Sequence, residues 1–142
     1  MTWRWINKQA LLLLHGESLA EHGGAEGLRD DGLLGSALAR PLNLLAYAEP
    51  DVAALAASYA MGVAKNHPFV DGNKRAAFLA VGMFLYLNGY RLNATQADAT
   101  VTVLALAADD IGEEQFASWL RTKIVVRSLK KMTKSQMTRG QP

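Results

Sequence analysis

Apolar residues recur at helical spacing along most of the chain, and this pattern predicts six helices. The predicted helices cover residues 7–22, 31–42, 52–65, 73–87, 96–108 and 113–125. The pair Gly23-Gly24 follows the first helix and the pair Asn88-Gly89 follows the fourth, as is typical of helix ends. A short extended piece is expected at Tyr90–Leu92. The chain is therefore predicted to be all-α, a compact bundle of about six helices.

Two of these helices are expected to form the interior. The third is dominated by alanine, which permits close approach of neighbouring helices. The fourth is apolar almost all the way round beyond Arg75, which predicts the central, most buried helix of the bundle. The fifth contains the run TVTV at 100–103, which would suit a strand almost as well as a helix.

The composition is that of one globular domain. The chain has 142 residues, of which 50% are hydrophobic and 20% charged. It has no cysteine, which excludes disulfides and thiolate zinc sites and favours a reducing compartment. The longest uncharged apolar run, 76–87, falls well short of the roughly 20 residues that a membrane-spanning helix needs. A soluble, cytoplasmic protein without a membrane partner is expected.

The net charge of +2 conceals an uneven distribution along the chain. From Lys123 onward there are six basic residues and no acidic one, whereas the preceding 122 residues carry nine basic and thirteen acidic residues. We therefore divide the chain into a single domain at 1–125 and a basic tail at 126–142. A solvated or disordered end explains such a tail better than nucleic-acid binding, and no nucleic-acid partner is expected for the domain.

Between the third and fourth helices lies a short loop that contains two chemically capable side chains. Proline disfavours the helical conformation in the residue before it, so the third helix must end near His67, which precedes Pro68. Histidine is well suited to accept a proton from a hydroxyl. Asp71 is the kind of ligand that a Mg²⁺ ion bridging phosphate oxygens requires.

The fourth helix begins with two cations, Lys74 and Arg75, directly after Gly72-Asn73. A helix N-terminus already carries about half a positive charge from its unpaired N–H groups, so the two cations are unfavourable unless an anion sits among them. Unpaired backbone donors, a glycine and two cations together predict a phosphate site.

Each of these residues also has an ordinary structural explanation when it is taken singly. His67 would be a hydrogen-bonded loop histidine, Asp71 a turn residue and Asn73 a helix cap, with Lys74 and Arg75 on a solvated surface. Their concentration within nine residues favours a functional site, because base, metal ligand and phosphate cradle are then all present together.

The motif HPFVDGNKR at 67–75 resembles the signature loop of the Fic/Doc superfamily, and specifically its Doc branch of death-on-curing toxins. A second stretch, GLRDDGLLGSALARP at 27–41, resembles the Doc-like pattern ahead of that loop. The resemblance covers roughly residues 11–119 and implies a helical bundle with the loop and the following helix at its centre. Within the second stretch, Arg29, Asp30 and Arg40 are either parts of a flap or target groove, or a helix cap and surface charges.

The chain departs twice from the Fic pattern HxFx(D/E)GNGRxxR, which is typical of enzymes that transfer AMP. Lys74 replaces the second glycine and Phe78 replaces the final arginine. Both departures match the Doc branch, so the resemblance implies a kinase that transfers the γ-phosphoryl group of ATP to a Thr or Ser hydroxyl. It implies His67 as general base and Asp71 as the Mg²⁺ ligand. The phosphates would be cradled by Gly72, Asn73, Lys74 and Arg75.

The resemblance also implies partners. By analogy the protein target is elongation factor Tu, and the outcome is translation arrest. None of the glutamates has Ser or Thr four residues before it, so the internal inhibitory motif (S/T)xxxE(G/N) of some Fic proteins is absent. Restraint is then expected from a cognate antitoxin with a disordered segment that folds on binding.

Two alternative functions stay open at this point. The first keeps the fold but transfers AMP, as Fic enzymes do. The second is a non-catalytic helical binding module whose basic tail engages a partner or nucleic acid.

Overall fold

The computed structural model describes residues 2–127 and confirms the all-α class. Six helices and two three-residue strands follow one another in chain order. They are α1 (Lys8–His22), α2 (Asp31–Tyr47), α3 (Val52–Asn66), α4 (Asn73–Leu87), β1 (Tyr90–Leu92), α5 (Gln96–Ala107), α6 (Glu113–Lys123) and β2 (Ile124–Val126). Among the described residues no helix has both the length and the apolarity to cross a bilayer.

Four of the helices begin at a side chain that accepts a hydrogen bond from the first turn. Such caps satisfy N–H groups that have no partner within the helix, and each stabilises its helix by about 1 kcal/mol. The capping residues are Asn7, Asp30, Asp51 and Thr95.

Helix α3 is the centre of the bundle. Ten of its fifteen residues are buried, and it packs against α2, α4, α5 and α6. Small side chains make this possible. A Cβ atom on Gly62 would lie only 2.9 Å from the Cα atom of Ala37 in α2, so the two backbones could not approach as they do with any larger residue.

The expectation that α4 is the most buried helix is therefore wrong. Lys74, Arg75, Gly82 and Tyr86 of α4 are all exposed. A helix that is apolar on nearly all sides is not necessarily the central one. Neighbouring helices approach α3 more closely because its side chains are smaller.

Helix α2 is longer than predicted. It continues to Tyr47 instead of ending near Leu42, and it passes through Pro41. A proline within a helix cannot donate to the carbonyl four residues earlier. The ring of Pro41 is nevertheless buried, and Leu44 beyond it packs against the core, so tertiary packing extends the helix past the proline.

The C-terminal end of the sixth predicted helix is a strand instead. Helix α6 stops at Lys123, and Ile124–Val126 pairs antiparallel with β1, so that Leu92 lies opposite Ile124 and Tyr90 opposite Val126. Three consecutive β-branched residues favour this conformation. The predicted start of the basic tail at 126 falls in this strand, and its residues 128–142 lie outside the described part of the chain.

One link between helices yields a test of stability. Asp51 caps α3 by accepting from the N–H of Ala54 at 2.8 Å. The Arg121 guanidinium donates to both Asp51 carboxylate oxygens, at 2.7 and 3.0 Å, and thereby ties α6 to the start of α3. The hydrogen bonds from Arg121, and next the Ala54 N–H, hold the pKa of Asp51 below its usual value of 3.8.

We expect Asp51→Ala to lower the free energy of unfolding by about 1–2 kcal/mol, because both the cap and the ion pair are lost. Asp51→Asn keeps a capping oxygen and should cost less. Because the pKa is lowered on folding, the stabilisation is complete above about pH 4 and is lost as the pH falls through the lowered value. Urea unfolding at a series of pH values checks this: the difference between the native protein and Asp51→Asn should shrink at acidic pH, and a constant difference would contradict the assignment.

Candidate functional site

The loop between α3 and α4 pairs with a segment from far earlier in the chain. Phe69 forms an isolated antiparallel bridge with Leu28. The N–H of Val70 donates to the carbonyl of Gly27 at 3.0 Å, and the N–H of Arg29 donates to the carbonyl of Pro68 at 2.7 Å. Residues 27–30 therefore hold the extended backbone of the loop in place.

His67 lies at the junction of α3 and this loop, as the proline after it predicts. Its backbone is left-handed, with φ 49° and ψ 56°, and its side chain is exposed. The Arg29 side chain secures this turn, because Nε donates to the carbonyl of His67 at 2.7 Å and Nη2 to that of Asn66 at 2.9 Å. The Arg29 guanidinium therefore binds the carbonyls at the C-terminus of α3, where the helix dipole favours a positive charge.

Arg29, Asp30 and Arg40 of the 27–41 stretch make three different kinds of contact. Arg29 contacts the loop, as described above. Asp30 is a helix cap and accepts from the N–H of Leu33 at 2.9 Å. Arg40 pairs with Glu113 of α6 and donates to the Ser58 carbonyl, so it takes part in helix packing.

Asp71 forms a turn at the end of the loop. Its carboxylate accepts from the N–H of Gly72 at 2.8 Å and from the N–H of Ala25 at 3.2 Å, on different oxygens. Each carboxylate oxygen has two lone-pair sites, so both oxygens keep acceptor capacity for a further ligand. Asp71 itself is exposed.

Glycine is the only residue type that position 72 accommodates without strain. Its φ is +73°, and a Cβ atom would lie 2.9 Å from Cε1 of the His15 ring. As the N-cap of α4 it offers no side-chain acceptor. The first hydrogen bond of α4 runs from Ala76 to the Gly72 carbonyl, so the N–H groups of residues 73–75 have no partner within the helix.

The side chain of Asn73 does not cap the helix. Its Oδ1 accepts from the N–H of Phe69 at 2.9 Å, and its Nδ2 donates to the carbonyl of Phe69 at 3.0 Å. This double hydrogen bond clamps the loop across four residues. One N–H of Nδ2 is used in this way, so the second Nδ2 hydrogen and the backbone N–H are the donors that Asn73 can offer to an anion.

Lys74 and Arg75 are exposed in the first turn of α4. Neither forms an ion pair with any acidic group of residues 2–127. The positive charges of Lys74 and Arg75 therefore add to the partial positive charge that the first N–H groups of α4 place at the same helix end.

His15 of α1 is a residue of this site that our interpretation of the sequence missed. It is buried, and its Nε2 lies 3.0 Å from the carbonyl oxygen of Asp71. The centroids of the His15 and Phe69 rings are 4.0 Å apart. A carbonyl can only accept, so Nε2 carries the proton. In the neutral ring Nδ1 then has none, and this buried atom has no hydrogen-bond partner among residues 2–127. Burial lowers the pKa of His15, which favours the neutral ring. The signal was present in the apolar i, i+4, i+8 series Leu11, His15, Leu19.

All six predicted site residues line one open cavity of about 500 Å³. They are His67, Asp71, Gly72, Asn73, Lys74 and Arg75. The end of α1 completes the wall with Leu19, His22 and Gly23. A cavity of the same volume between α2, α3 and α6 differs chemically. Two of its three charged residues, Glu113 and Arg121, are already paired with Arg40 and Asp51, and the third, Glu114, is acidic.

These contacts indicate which chemical groups could bind in the cavity at loop residues 67–75, which we call the loop cavity. N–H groups and two cations that have no partner among residues 2–127 suit a phosphate group, and a carboxylate with spare acceptor capacity lies beside them. Among the described residues no three acidic, His or Cys side chains gather into a metal cluster. A single carboxylate is what Mg²⁺ uses when phosphate oxygens and water supply its other ligands, so the residues present fit that mode of binding.

Comparison with known proteins agrees with the motif. A family model described as the Fic/DOC family matches residues 5–85, which include the whole loop and most of α4. Among curated proteins, Toxin Doc of Mycolicibacterium smegmatis (strain ATCC 700084 / mc(2)155) is 43% identical over 74 residues. The aligned region is 51% of this chain and 57% of that protein, so the chain spans little more than half the length of this relative.

The backbone at Gly72 gives a second test of stability. We expect Gly72→Ala to lower the free energy of unfolding by about 1–3 kcal/mol, because alanine is strained at positive φ and its Cβ would meet His15. Gly82→Ala is the matched control in the same helix: nothing lies within 4 Å of its Cβ position, and replacing a helical glycine should stabilise by about 0.5–1 kcal/mol. Equal effects in urea unfolding would contradict the geometry at Gly72.

Proposed function

Because the chain belongs to the Fic/Doc family, we propose that it is a Doc-like toxin of a toxin-antitoxin pair, a protein kinase that transfers the γ-phosphoryl group of ATP to a Thr or Ser hydroxyl. The observation that carries this proposal is the single cavity in which His67, Asp71 and the unpaired start of α4 meet. The proposed target is elongation factor Tu, and its modification would arrest translation.

In this proposal His67 accepts the proton of the target hydroxyl at a ring nitrogen. The hydroxyl oxygen forms a bond to the γ-phosphorus, the bond from that phosphorus to the bridging oxygen of the β-phosphate breaks, and ADP leaves. The turn at His67 is held by the two hydrogen bonds of Arg29, so the ring is presented from a fixed backbone. Fixed positioning is a large part of what phosphoryl transfer requires of a protein.

The remaining residues neutralise and place the phosphates. Gly72, Asn73, Lys74 and Arg75 are the proposed phosphate cradle. Gly72 keeps the helix end open, since its own N–H donates to Asp71, and the N–H groups of residues 73–75 with the two cations would contact the phosphates. Asp71 would hold Mg²⁺, which when bound supplies positive charge against the phosphate oxygens. The hydrogen bond from His15 to the Asp71 carbonyl keeps this residue at the edge of the cavity.

We further propose that a cognate antitoxin restrains the toxin, through a segment that folds on binding. No glutamate of the sequence has Ser or Thr four residues before it, so the internal inhibitory motif is missing and restraint is assigned to another chain.

The catalytic step is tested with purified elongation factor Tu, ATP and Mg²⁺, followed by mass spectrometry. We expect a phosphoryl increment on a Thr or Ser residue. His67→Ala should lower the rate by about 10²–10⁴-fold, because the proton acceptor is lost. His22→Ala is the matched control: His22 lines the same cavity but lies at the end of α1 and not on the loop, and this variant should keep most of the activity.

Other outcomes decide against the kinase. An adenylyl increment would identify an AMP transferase of the Fic type. No modification, together with undiminished toxicity of His67→Ala in cells, would leave the non-catalytic binding module. That alternative also requires that removal of residues 130–142 abolishes function while substitution of Asp71 or Lys74 does little.

Arg29 provides a test of positioning. Arg29→Ala should lower kcat by about ten- to a hundredfold with a much smaller change in KM for ATP, because the turn at His67 loses two hydrogen bonds while the proposed phosphate cradle is untouched. Arg29→Lys retains a cation and should recover part of the loss. A change confined to KM would contradict a role in placing His67.

A further inference from the structure

The peptide unit that joins Asp71 to Gly72, which we call the 71–72 peptide, is hydrogen-bonded at both of its polar groups. Its carbonyl oxygen lies 3.0 Å from Nε2 of His15, and its N–H donates to Oδ1 of Asp71 at 2.8 Å. The peptide bond is trans, so the carbonyl and the N–H point in opposite directions. The carbonyl is therefore directed at α1, and the N–H is directed at a carboxylate of the loop cavity.

The 71–72 peptide is at a position where the backbone can easily turn over. Such a flip changes ψ of Asp71 and φ of Gly72 and leaves the rest of the chain in place. Gly72 has a φ of +73°, and glycine adopts negative φ about as readily as positive φ. The glycine itself therefore does not oppose a flip, and the observed orientation depends on the contacts of the peptide.

A flipped 71–72 peptide would be unsuited to binding an anion. The carbonyl oxygen would move to the side where the N–H now lies, next to the Asp71 carboxylate. The loss of a donor and the gain of a partial negative charge there would oppose the positive potential at the uncapped start of α4. Phosphate binding therefore requires that the carbonyl stay on the side of α1.

His15 is well placed to keep the carbonyl on that side. Among the described residues it is the only side chain from which this carbonyl accepts a hydrogen bond. The residue is 2% exposed, so water cannot readily replace it as the donor. Its ring is held against Phe69, and its Cε1 would lie 2.9 Å from a Cβ atom on Gly72, so it packs directly against the 71–72 peptide.

We propose that His15 is a positioning residue that holds the 71–72 peptide in the orientation that phosphate binding requires. This inference rests on the proposed function, and it gives His15 a role in the phosphate site without any contact with the phosphate. His15 acts beside the start of α4, whereas Arg29 acts at the other end of the loop, on the turn at His67. Loss of the His15 donor is therefore expected to weaken anion binding, whereas loss of Arg29 is expected to lower kcat.

The test measures binding of inorganic triphosphate, without Mg²⁺, by calorimetry. His15→Met keeps a buried apolar side chain but has no donor, and it should weaken binding by about tenfold, because a buried hydrogen bond to the carbonyl is lost. His15→Gln carries an amide N–H at a similar distance from the backbone and should recover most of the affinity. Leu11→Met is the matched control: Leu11 is buried one turn earlier in α1 and does not line the loop cavity, so this variant should bind as the native protein does.

Unchanged triphosphate affinity of His15→Met would overturn the inference. An equal loss in His15→Met and His15→Gln would also overturn it, because the packing of the ring and not its donor would then matter. Hydrogen exchange gives a readout that needs no ligand: the Gly72 N–H should exchange faster in His15→Met than in the native protein, and an equal rate would contradict a flip.

A measurement on the native protein decides the inference even where a variant does not fold. Nitrogen NMR of the His15 ring should show the neutral tautomer with its proton on Nε2, and a proton on Nδ1 alone would overturn the inference. If the native protein does not bind triphosphate, the proposed function fails. The tautomer and the exchange of the Gly72 N–H then still decide whether His15 holds the 71–72 peptide.

Discussion

Helix α4 starts without a side chain that accepts a hydrogen bond from its first N–H groups. The residues of the candidate site surround this uncapped helix end. Unpaired backbone donors are costly when they are buried, so this helix end has to face solvent or a ligand. Gly72 and the Asp71 turn bring the chain to the helix without covering its end. Lys74 and Arg75 then add charge to a place that is already electropositive. Such an arrangement is stable next to an anion, which is the physical basis for assigning phosphate to it.

Three side chains hold the loop that precedes α4, in addition to the backbone pairing of the loop with residues 27–30. The Asn73 side chain clamps Phe69, Arg29 fixes the turn at His67, and His15 reaches the carbonyl of Asp71. Only the first of these lies within the recognisable motif. The geometry of a nine-residue motif therefore depends on α1 and on the segment before α2, and both lie within the region that the family model covers.

Much of the fold was predictable because it depends on local rules. The four side-chain caps, the stop of α1 at glycine and the effect of Pro68 on His67 are all set by neighbouring residues. Features that depend on distant partners were not predictable. Continuation of α2 past Pro41, the change from helix to strand at Ile124, the central position of α3 and the burial of His15 all follow from packing between segments far apart in sequence. The motif identified residues that line one cavity, whereas their chemical roles stay predictions.

The double hydrogen bond of Asn73 spans four residues, whereas the contacts of Arg29 with His67 and of His15 with Asp71 span 38 and 56 residues. Local contacts close early and distant ones late, because long loops cost more entropy to close. We therefore expect a chain emerging from the ribosome to form the start of α4 before His67 and Asp71 are held in register. The order of folding itself would then delay completion of the candidate site until α1, the 27–30 segment and α4 have come together.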